Sequence, residues 1–299
     1  MGMAGLALDL GHLYLAKTEL QRAADAGALA GSRGLFFPNL SALPQCSQAQ
    51  TTAWEIAQAN TVHGSTPTVS TPPSYALPYG FWNHSTRIFT PGCSSNPGAF
   101  TNAVTVRTTL IIPLMFMGTL GFGPITLNAD SLAVMDWVGG LDQGVSFILA
   151  LGKNYAMTEP EETYIYTAPD TSDTGAWFTK SPITPSNSVV KNYLDYPSTM
   201  PPIQTGDQIN LNNGAWGDIL AIIRRDYLGK TVWLPIVDLV QSDQTVTVIG
   251  FTAFKITGVG TGSPKYVKGL ALKQAEIQGA SSNPGGAFYG LLTSPRLVQ

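Results

Sequence analysis

The sequence is poor in charged side chains, which make up 12% of its 299 residues, against about 25% in an average soluble domain. Its 16 Lys and Arg residues and 19 Asp and Glu residues give a formal net charge of -3, with no long basic run. No nucleic-acid partner is expected, because binding to phosphates requires clustered positive charge. The hydrophobic content of 44% and the many Gly and Pro residues favour a folded, strand-rich, extracytoplasmic protein.

Cysteine is equally scarce, with Cys46 and Cys93 alone. Neither residue lies in the paired spacing that holds a zinc ion. In an oxidising compartment the two would form one disulfide, and two unrelated thiols are the alternative. The sequence leaves both readings open.

Long hydrophobic runs are also missing. A helix that crosses a bilayer needs about 20 apolar residues, and the apolar run at the start covers only residues 1–8. No Lys or Arg precedes this run, as one would in a signal peptide. The sequence as it stands predicts neither a complete membrane span nor a secretion signal.

Motifs for catalysis are absent as well. The sequence has no Gly-x-Ser-x-Gly motif and no glycine-rich phosphate loop followed by Lys and Ser or Thr, so no cofactor is expected. His12, His63 and His84 are isolated from one another and favour packing or surface roles over catalysis. We therefore expect a structural protein and not an enzyme.

Two groups of side chains offer a binding surface as an alternative to this view. Glu159, Glu161 and Glu162 would bind a cation, but their spacing matches no calcium loop, and a solvated turn is favoured. Six aromatic residues would line a sugar-binding face, although core packing is the commoner role; they are Tyr75, Tyr79, Phe81, Trp82, Phe89 and Phe100.

Residues 9–31, DLGHLYLAKTELQRAADAGALAG, predict one uninterrupted helix that ends near Gly31 or Gly34. Leu and Ala residues recur at helical spacing along one stripe. Near the end of the helix, small residues recur every four positions, which suits close packing of another backbone. The residues expected to serve in helix packing or assembly are Leu6, Leu10, Leu13, Leu20, Ala23, Ala24, Gly27, Ala28 and Gly31.

The rest of the sequence predicts three short helices among many strands. Residues 51–62 predict a helix with Trp54, Ile56 and Ala57 on its buried side. Residues 113–121, PLMFMGTLG, predict a short buried helix, because a Pro begins the segment and a Gly ends it. Beyond residue 140, β-rich segments alternate with Gly, Pro, Asn and Asp, and residues 216–229 predict one further helix.

These elements predict an α+β fold with a long N-terminal helix, a small α+β unit, and a mainly β C-terminal unit resembling a sandwich or barrel. The expected domains are a hydrophobic and amphipathic helix over residues 1–34, an α+β extracytoplasmic unit over residues 35–140, and a β-rich unit over residues 141–299.

Residues 5–31, GLALDLGHLYLAKTELQRAADAGALAG, resemble the N-terminal motif of the TadE/TadG-like proteins of the tight-adherence (Flp) pilus assembly system. In that family an apolar membrane helix runs into an acidic residue, a Leu/Tyr-rich turn and an alanine-rich stretch that ends in Ala-Leu-Ala-Gly. The corresponding positions here are Asp9, Leu13, Tyr14, Glu19, Leu20, Gln21, Ala23, Ala24, Asp25, Ala26, Ala28, Leu29, Ala30 and Gly31. Weaker similarity continues to residue 135 and in residues 229–238 and 247–258.

The resemblance implies a non-catalytic, envelope-associated subunit of a Flp-type pilus apparatus, a TadG-like minor pilin or pseudopilin. It implies an inner-membrane anchor with extracytoplasmic domains, or an extracellular place in a filament. The implied partners are other pilus-assembly or filament subunits and, through the N-terminal helix, the membrane. Because the family's membrane segment extends further upstream, residues 1–34 would contain only the end of that anchor.

Two other functions are alternatives. The first is a self-assembling extracellular filament subunit or adhesin, a homo-oligomer that polymerises through its helix or by strand addition. The second is a secreted hydrolase or carbohydrate-binding protein, for which Glu161 and His84 would be the residues to replace.

Overall fold

The computed structural model of the protein describes residues 2–37, 44–96, 99–166, 174–212, 214, 217–238, 240, 244–278, 280–282 and 287–298. The fold is α+β and mainly strand in its C-terminal part, which confirms the predicted fold class. The chain divides into two compact units, residues 1–135 with 295–299 and residues 136–294. The last residues of the chain thus return to the first unit.

The helices are α1 (Gly2–Gly34), α2 (Cys46–Ala59), α3 (Asn187–Asp195) and α4 (Gly217–Asp226). The strands are β1 (Thr68–Ser70), β2 (Tyr79–Asn83), β3 (Ile88–Pro91), β4 (Ala103–Ile112), β5 (Ile125–Val134), β6 (Val138–Leu141), β7 (Leu149–Gly152), β8 (Glu162–Tyr166), β9 (Gly175–Lys180), β10 (Ile203–Gln204), β11 (Gln208–Asn212), β12 (Thr231–Val237), β13 (Thr245–Gly260), β14 (Tyr266–Ala271), β15 (Ala275–Ile277), β16 (Ser281–Ser282), β17 (Leu291–Thr293) and β18 (Arg296–Leu297).

Helix α1 forms over 33 residues because its sequence contains no Pro, only one β-branched residue, Thr18, and many Ala and Leu residues, which favour helical backbone angles and offset the cost of its glycines. The helix is not amphipathic along its whole length. Its middle packs onto the first unit's sheet in a buried cluster of Ala16, Leu20, Ala24, Val62, Ile112 and Ala129.

The sheet of the first unit is built on the β4–β5 hairpin, which pairs without interruption from Ala103 opposite Val134 to Ile112 opposite Ile125. The strand order is β18-β5-β4-β2-β3, and β1 also pairs with β4. Two side-chain hydrogen bonds join α1 to this hairpin. Thr108 Oγ1 donates to the Leu20 backbone carbonyl oxygen at 2.9 Å, and Gln21 Nε2 donates to the Asp130 backbone carbonyl oxygen at 3.0 Å. The orientation of α1 on the sheet is therefore set by polar as well as apolar contacts.

The second half of α1 lies in very close contact with α2. A Cβ atom on Gly31 would lie 2.7 Å from Ala53 Cβ, and one on Gly27 would lie 2.7 Å from the Ala53 carbonyl oxygen. Only hydrogen fits at these two positions. The close approach also selects small residues on α2, whose buried face is Cys46, Ala49, Ala53 and Ala57.

The predicted buried side of α2 is therefore partly wrong. Ala57 is buried, but Ile56 is exposed and Trp54 is half-buried. The sequence prediction favoured large apolar side chains, whereas the narrow gap beside α1 is filled by small residues, mainly alanines.

The second unit is built from a seven-stranded sheet in the order β11-β9-β7-β12-β13-β14-β8. Strand β11 also pairs with β13, which closes a ring of strand pairings through β9, β7 and β12. Helices α3 and α4 contribute Val190, Ile219 and Ile223 to the core that this sheet encloses. Two small sheets, β10-β6-β16 and β15-β17, complete the unit.

We predict that Gly31→Ala destabilises the protein by about 1–3 kcal/mol, because the new methyl group overpacks the contact with α2. Gly11→Ala is the matched control on the same helix, since no atom lies within 4 Å of the position that its methyl group would take. It should be neutral or stabilising by up to about 1 kcal/mol, as Ala favours the helix over Gly. Urea unfolding of the two variants and the wild type measures the difference, and equal midpoints for the two variants would contradict the proposed packing.

Candidate functional site

The first half of α1 carries its apolar side chains on the surface. Residues 1–16 contain one charged side chain, Asp9. We call this half the exposed half of α1. Five of its large apolar or aromatic residues are exposed: Leu6, Leu8, Leu10, Tyr14 and Leu15. A soluble helix normally turns such residues toward a core, so this surface is a candidate for contact with another component.

Asp9 is only 2% exposed, although it lies among these exposed residues. Its carboxylate accepts hydrogen bonds from the backbone N–H groups of Met115 (2.8 Å), Phe116 (3.1 Å) and Met117 (2.8 Å). Three converging donors satisfy the carboxylate without a cation. The interaction joins α1 to the loop between β4 and β5.

This loop, residues 113–124, which we call the tip, contains no buried helix. Its helical part is a single 3-10 turn, Met117–Leu120, with none of its residues buried. The predicted short buried helix at residues 113–121 is therefore wrong. The Pro and Gly signals mark the ends of a turn that projects from the β4–β5 hairpin, and its large side chains are exposed: Met115, Phe116, Leu120 and Phe122.

Apart from Asp9, charged groups lie further along the β4–β5 hairpin and α1. Arg107 and Asp130 are opposite each other on β4 and β5 and form two hydrogen bonds of 2.6 Å. These bonds raise the pKa of Arg107. Lys17 Nζ donates to the Asn128 carbonyl oxygen beside them. Charge and apolar surface are thus separated along the first unit.

The nine residues predicted to serve in helix packing or assembly divide between the two halves of α1. Leu6 and Leu10 are exposed, and Leu13 is half-buried. The other six are buried within the first unit: Leu20, Ala23, Ala24, Gly27, Ala28 and Gly31. The exposed apolar side chains of the tip were not predicted from the sequence. The available signal was the absence of any charged side chain over residues 108–129.

Cys46 and Cys93 form a disulfide, with their Cα atoms 6.1 Å apart. Cys46 is the first residue of α2, and Cys93 follows β3. The bond therefore connects the helix that packs on α1 to the far edge of the first unit's sheet.

The histidines form no arrangement typical of an active site. The rings of His12 and His63 lie 4.4 Å apart, tilted by 57°. The backbone N–H of His63 donates to Glu19 Oε2 at 2.9 Å, and His84 directly follows β2. These contacts attach the loop after α2 to α1.

Three of the six aromatic residues, Tyr75, Trp82 and Phe89, pack in one cluster. Phe89 and Phe100 are buried, and Tyr75 packs edge-on against Phe89 with ring centres 4.7 Å apart. Tyr75 and Trp82 line an open cleft of about 640 Å³ in the first unit, together with Gln21, Asp25, Arg87 and Asp130. Trp82 is 8% exposed, so it offers little of its face to a ligand.

Two of the three carboxylates in the acidic cluster accept hydrogen bonds within the protein. Glu162 accepts from Lys268 Nζ at 2.7 Å and from Thr257 Oγ1 at 2.6 Å. The bond from Lys268 is the main cause of a lowered pKa of Glu162. Glu159 Oε2 accepts from the Lys273 N–H. Within the described ranges, no group of three or more His, Cys, Asp and Glu side chains is placed to hold a metal ion.

The geometry defines an α+β protein whose long N-terminal helix is packed by small residues at one end and is apolar and exposed at the other. Residues 1–43 match the family model for TadE/G-like Flp pilus-assembly proteins, and residues 38–133 match the model for Tad-like Flp pilus-assembly proteins. Residues 1–133 thus match Flp pilus-assembly models, and the TadE/G-like match is confined to residues 1–43.

The two matches end at residue 133, so the similarity expected in residues 229–238 and 247–258 stays a prediction. No curated protein and no solved structure gives a significant match. In the part of the chain that the structure describes, no helix combines the length and the apolar character needed to cross a membrane.

We predict that Asp9→Ala loosens the tip, because the N–H groups of Met115, Phe116 and Met117 lose their acceptor. Hydrogen exchange followed by mass spectrometry should show amide exchange at residues 115–117 at least about tenfold faster. Asp25→Ala is the control on the same helix, since Asp25 accepts from Gln21 Nε2. Unchanged exchange at residues 115–117 in the Asp9 variant would contradict the role of this carboxylate.

We predict that Glu162 stabilises the second unit only above acidic pH. Its pKa is lowered in the folded protein, so its contribution is present above the unfolded pKa and is lost as pH falls through the folded value. The difference in Tm between wild type and Glu162→Gln should be largest near pH 7 and should close below about pH 4. Glu161→Gln controls for the change in net charge. A difference that does not vary with pH would disprove the ionic contribution.

Proposed function

We propose that the protein is a non-catalytic, envelope-associated subunit of a Flp/Tad-type pilus assembly system, a TadG-like minor pilin or pseudopilin. The first half of α1 places the chain at the inner membrane, and the rest of the protein lies on the extracytoplasmic side. Its partners are other pilus-assembly subunits.

The observation that carries this proposal is the division of α1. Its second half is buried against α2 and the sheet through Gly27, Gly31 and Ala24, so it belongs to the folded unit. Its first half exposes Leu6, Leu10 and other apolar residues. Both halves lie within residues 1–43, which match the TadE/G-like family. A helix that is packed into the folded unit at one end and exposes apolar side chains at the other suits a protein held at a membrane by its N-terminus.

The disulfide supports the extracytoplasmic part of the proposal. Disulfides such as Cys46–Cys93 persist in oxidising compartments, including the bacterial periplasm, and are rare in the cytoplasm. The bond lies in the first unit, directly after the segment that would approach the membrane.

Deletion of the gene in its own host, followed by complementation, tests the proposal. Surface pili, counted by electron microscopy, should be lost on deletion and restored by the wild type. We expect Leu10→Glu to fail to restore them and to leave the membrane fraction, because a charge in the exposed half of α1 opposes contact with lipid. Ile88→Glu is the matched control, since Leu10 and Ile88 are each 57% exposed and β2 and β3 extend away from the tip.

Three results would count against the proposal. Normal piliation in the deletion strain would remove the role in pilus assembly. A chain found in the cytoplasm with Cys46 and Cys93 reduced would remove the extracytoplasmic placement. Regular filaments formed by the purified protein alone would favour the self-assembling filament subunit instead.

A further inference from the structure

The tip is a second apolar element beside α1, and it is not part of the family motif in residues 5–31. Leu120 is 69% exposed and Phe122 is 57% exposed. Together with Met115 and Phe116 they are four exposed, large apolar side chains at the end of the β4–β5 hairpin. A group of exposed apolar side chains often marks a surface that binds another molecule or a membrane.

The tip and α1 form one surface. Asp9 accepts hydrogen bonds from three consecutive N–H groups of the tip. Gly5 of α1 lies against Phe116, so closely that a Cβ atom at Gly5 would be 2.9 Å from Phe116 Cβ. The exposed residues of the tip therefore lie at the level of residues 5–9 of α1.

This surface carries no exposed charge. Residues 108–129 contain no charged side chain, and the single charge among residues 1–16 is the buried carboxylate of Asp9. The first exposed charge along α1 is Lys17, eight residues beyond Asp9, which is about 12 Å along a helix. The headgroup layer on one side of a bilayer is about 5–8 Å thick, so charges at the level of Lys17 would stay in water while the tip reaches the acyl chains.

Six backbone N–H groups of the tip have acceptors within the tip or in the Asp9 carboxylate. The N–H groups of Thr119, Gly121 and Phe122 donate to backbone carbonyls of the same turn. Thr119 Oγ1 donates to the Phe116 carbonyl oxygen at 2.6 Å. A protein partner would normally be recognised by about one hydrogen bond per 100–200 Å² of interface, and the side chains of the tip offer no such donors outward. Internal satisfaction instead reduces the cost of entering a lipid interface.

We propose that the tip inserts into the boundary between headgroups and acyl chains of one bilayer leaflet, beside α1, so that the first unit contacts lipid through two elements. The occupant of the exposed apolar surface is lipid. The inference rests on the proposed placement of the protein at a membrane and adds the tip as a second contact that fixes the first unit against the bilayer.

A fluorophore attached to a cysteine at position 120, in the full chain with its native disulfide, tests the inference directly. In neutral phosphatidylcholine vesicles brominated on the acyl chains, we expect quenching of a label introduced by Leu120→Cys and none of a label introduced by Ile88→Cys. Binding should change little with salt, because the surface carries no exposed charge.

A pair of charge substitutions provides the second measurement. Phe122 and Ile88 are equally exposed, at 57%. Phe122→Glu should weaken vesicle binding by about tenfold, the effect of removing one half-buried aromatic side chain from lipid. Ile88→Glu should leave binding unchanged. The unfolding midpoint of each variant shows that the fold is retained.

Three outcomes would overturn the inference. In the first, the label at position 120 stays unquenched, although Leu10→Glu abolishes vesicle binding. This result would show that α1 alone enters the membrane, and it would leave the proposed function intact. Burial of that label without vesicles, in a particle of twice the mass, would identify a second copy as the occupant. Equal binding by Phe122→Glu and wild type would exclude the tip from the contact. The proposed function is tested separately, by counting surface pili in the deletion strain.

Discussion

The close contact between the backbones of α1 and α2 is the constraint on which the rest of the first unit depends. Gly27 and Gly31 leave no room for a side chain against Ala53, and the disulfide at Cys46 holds the other end of α2 to the sheet. Because the second half of α1 is fixed in this way, its direction over the β4–β5 hairpin is fixed as well. The small residues near the end of α1 thus serve packing within the unit, and the exposed apolar residues of the helix lie in its first half.

The first half of α1 extends from this fixed end as an apolar surface, and one charged side chain organises it. Asp9 is buried by the backbone of Met115 to Met117, not by a cation, which brings the tip to the side of the helix. The charged residues Lys17, Arg107 and Asp130 lie together further along the unit. The two elements of this apolar surface, α1 and the tip, both lie within residues 1–133, which match Flp pilus-assembly models.

Much of the fold was predictable from the sequence because it follows from local patterns. The long helix, the β4 strand and the strand-rich second unit correspond to Ala-rich, alternating and β-branched segments. The predictions that were wrong concern the partners of an element, which local patterns do not contain. Ile56 was expected in the core, but the gap beside α1 is filled by small residues of α2, mainly alanines. Residues 113–121 have helix end signals, yet they are held as a turn by Asp9, more than 100 positions earlier.

A scan of fluorophore positions along α1 in lipid vesicles tests whether this one helix is divided between a folded unit and a membrane. Leu8, Arg22 and Arg33 are all exposed in the structure, so labels there report on the surroundings of the helix and not on its packing. We predict that brominated lipid quenches a label at position 8 and leaves labels at positions 22 and 33 unquenched, with the boundary near Lys17. Equal quenching at all three positions, or at none, would contradict the division.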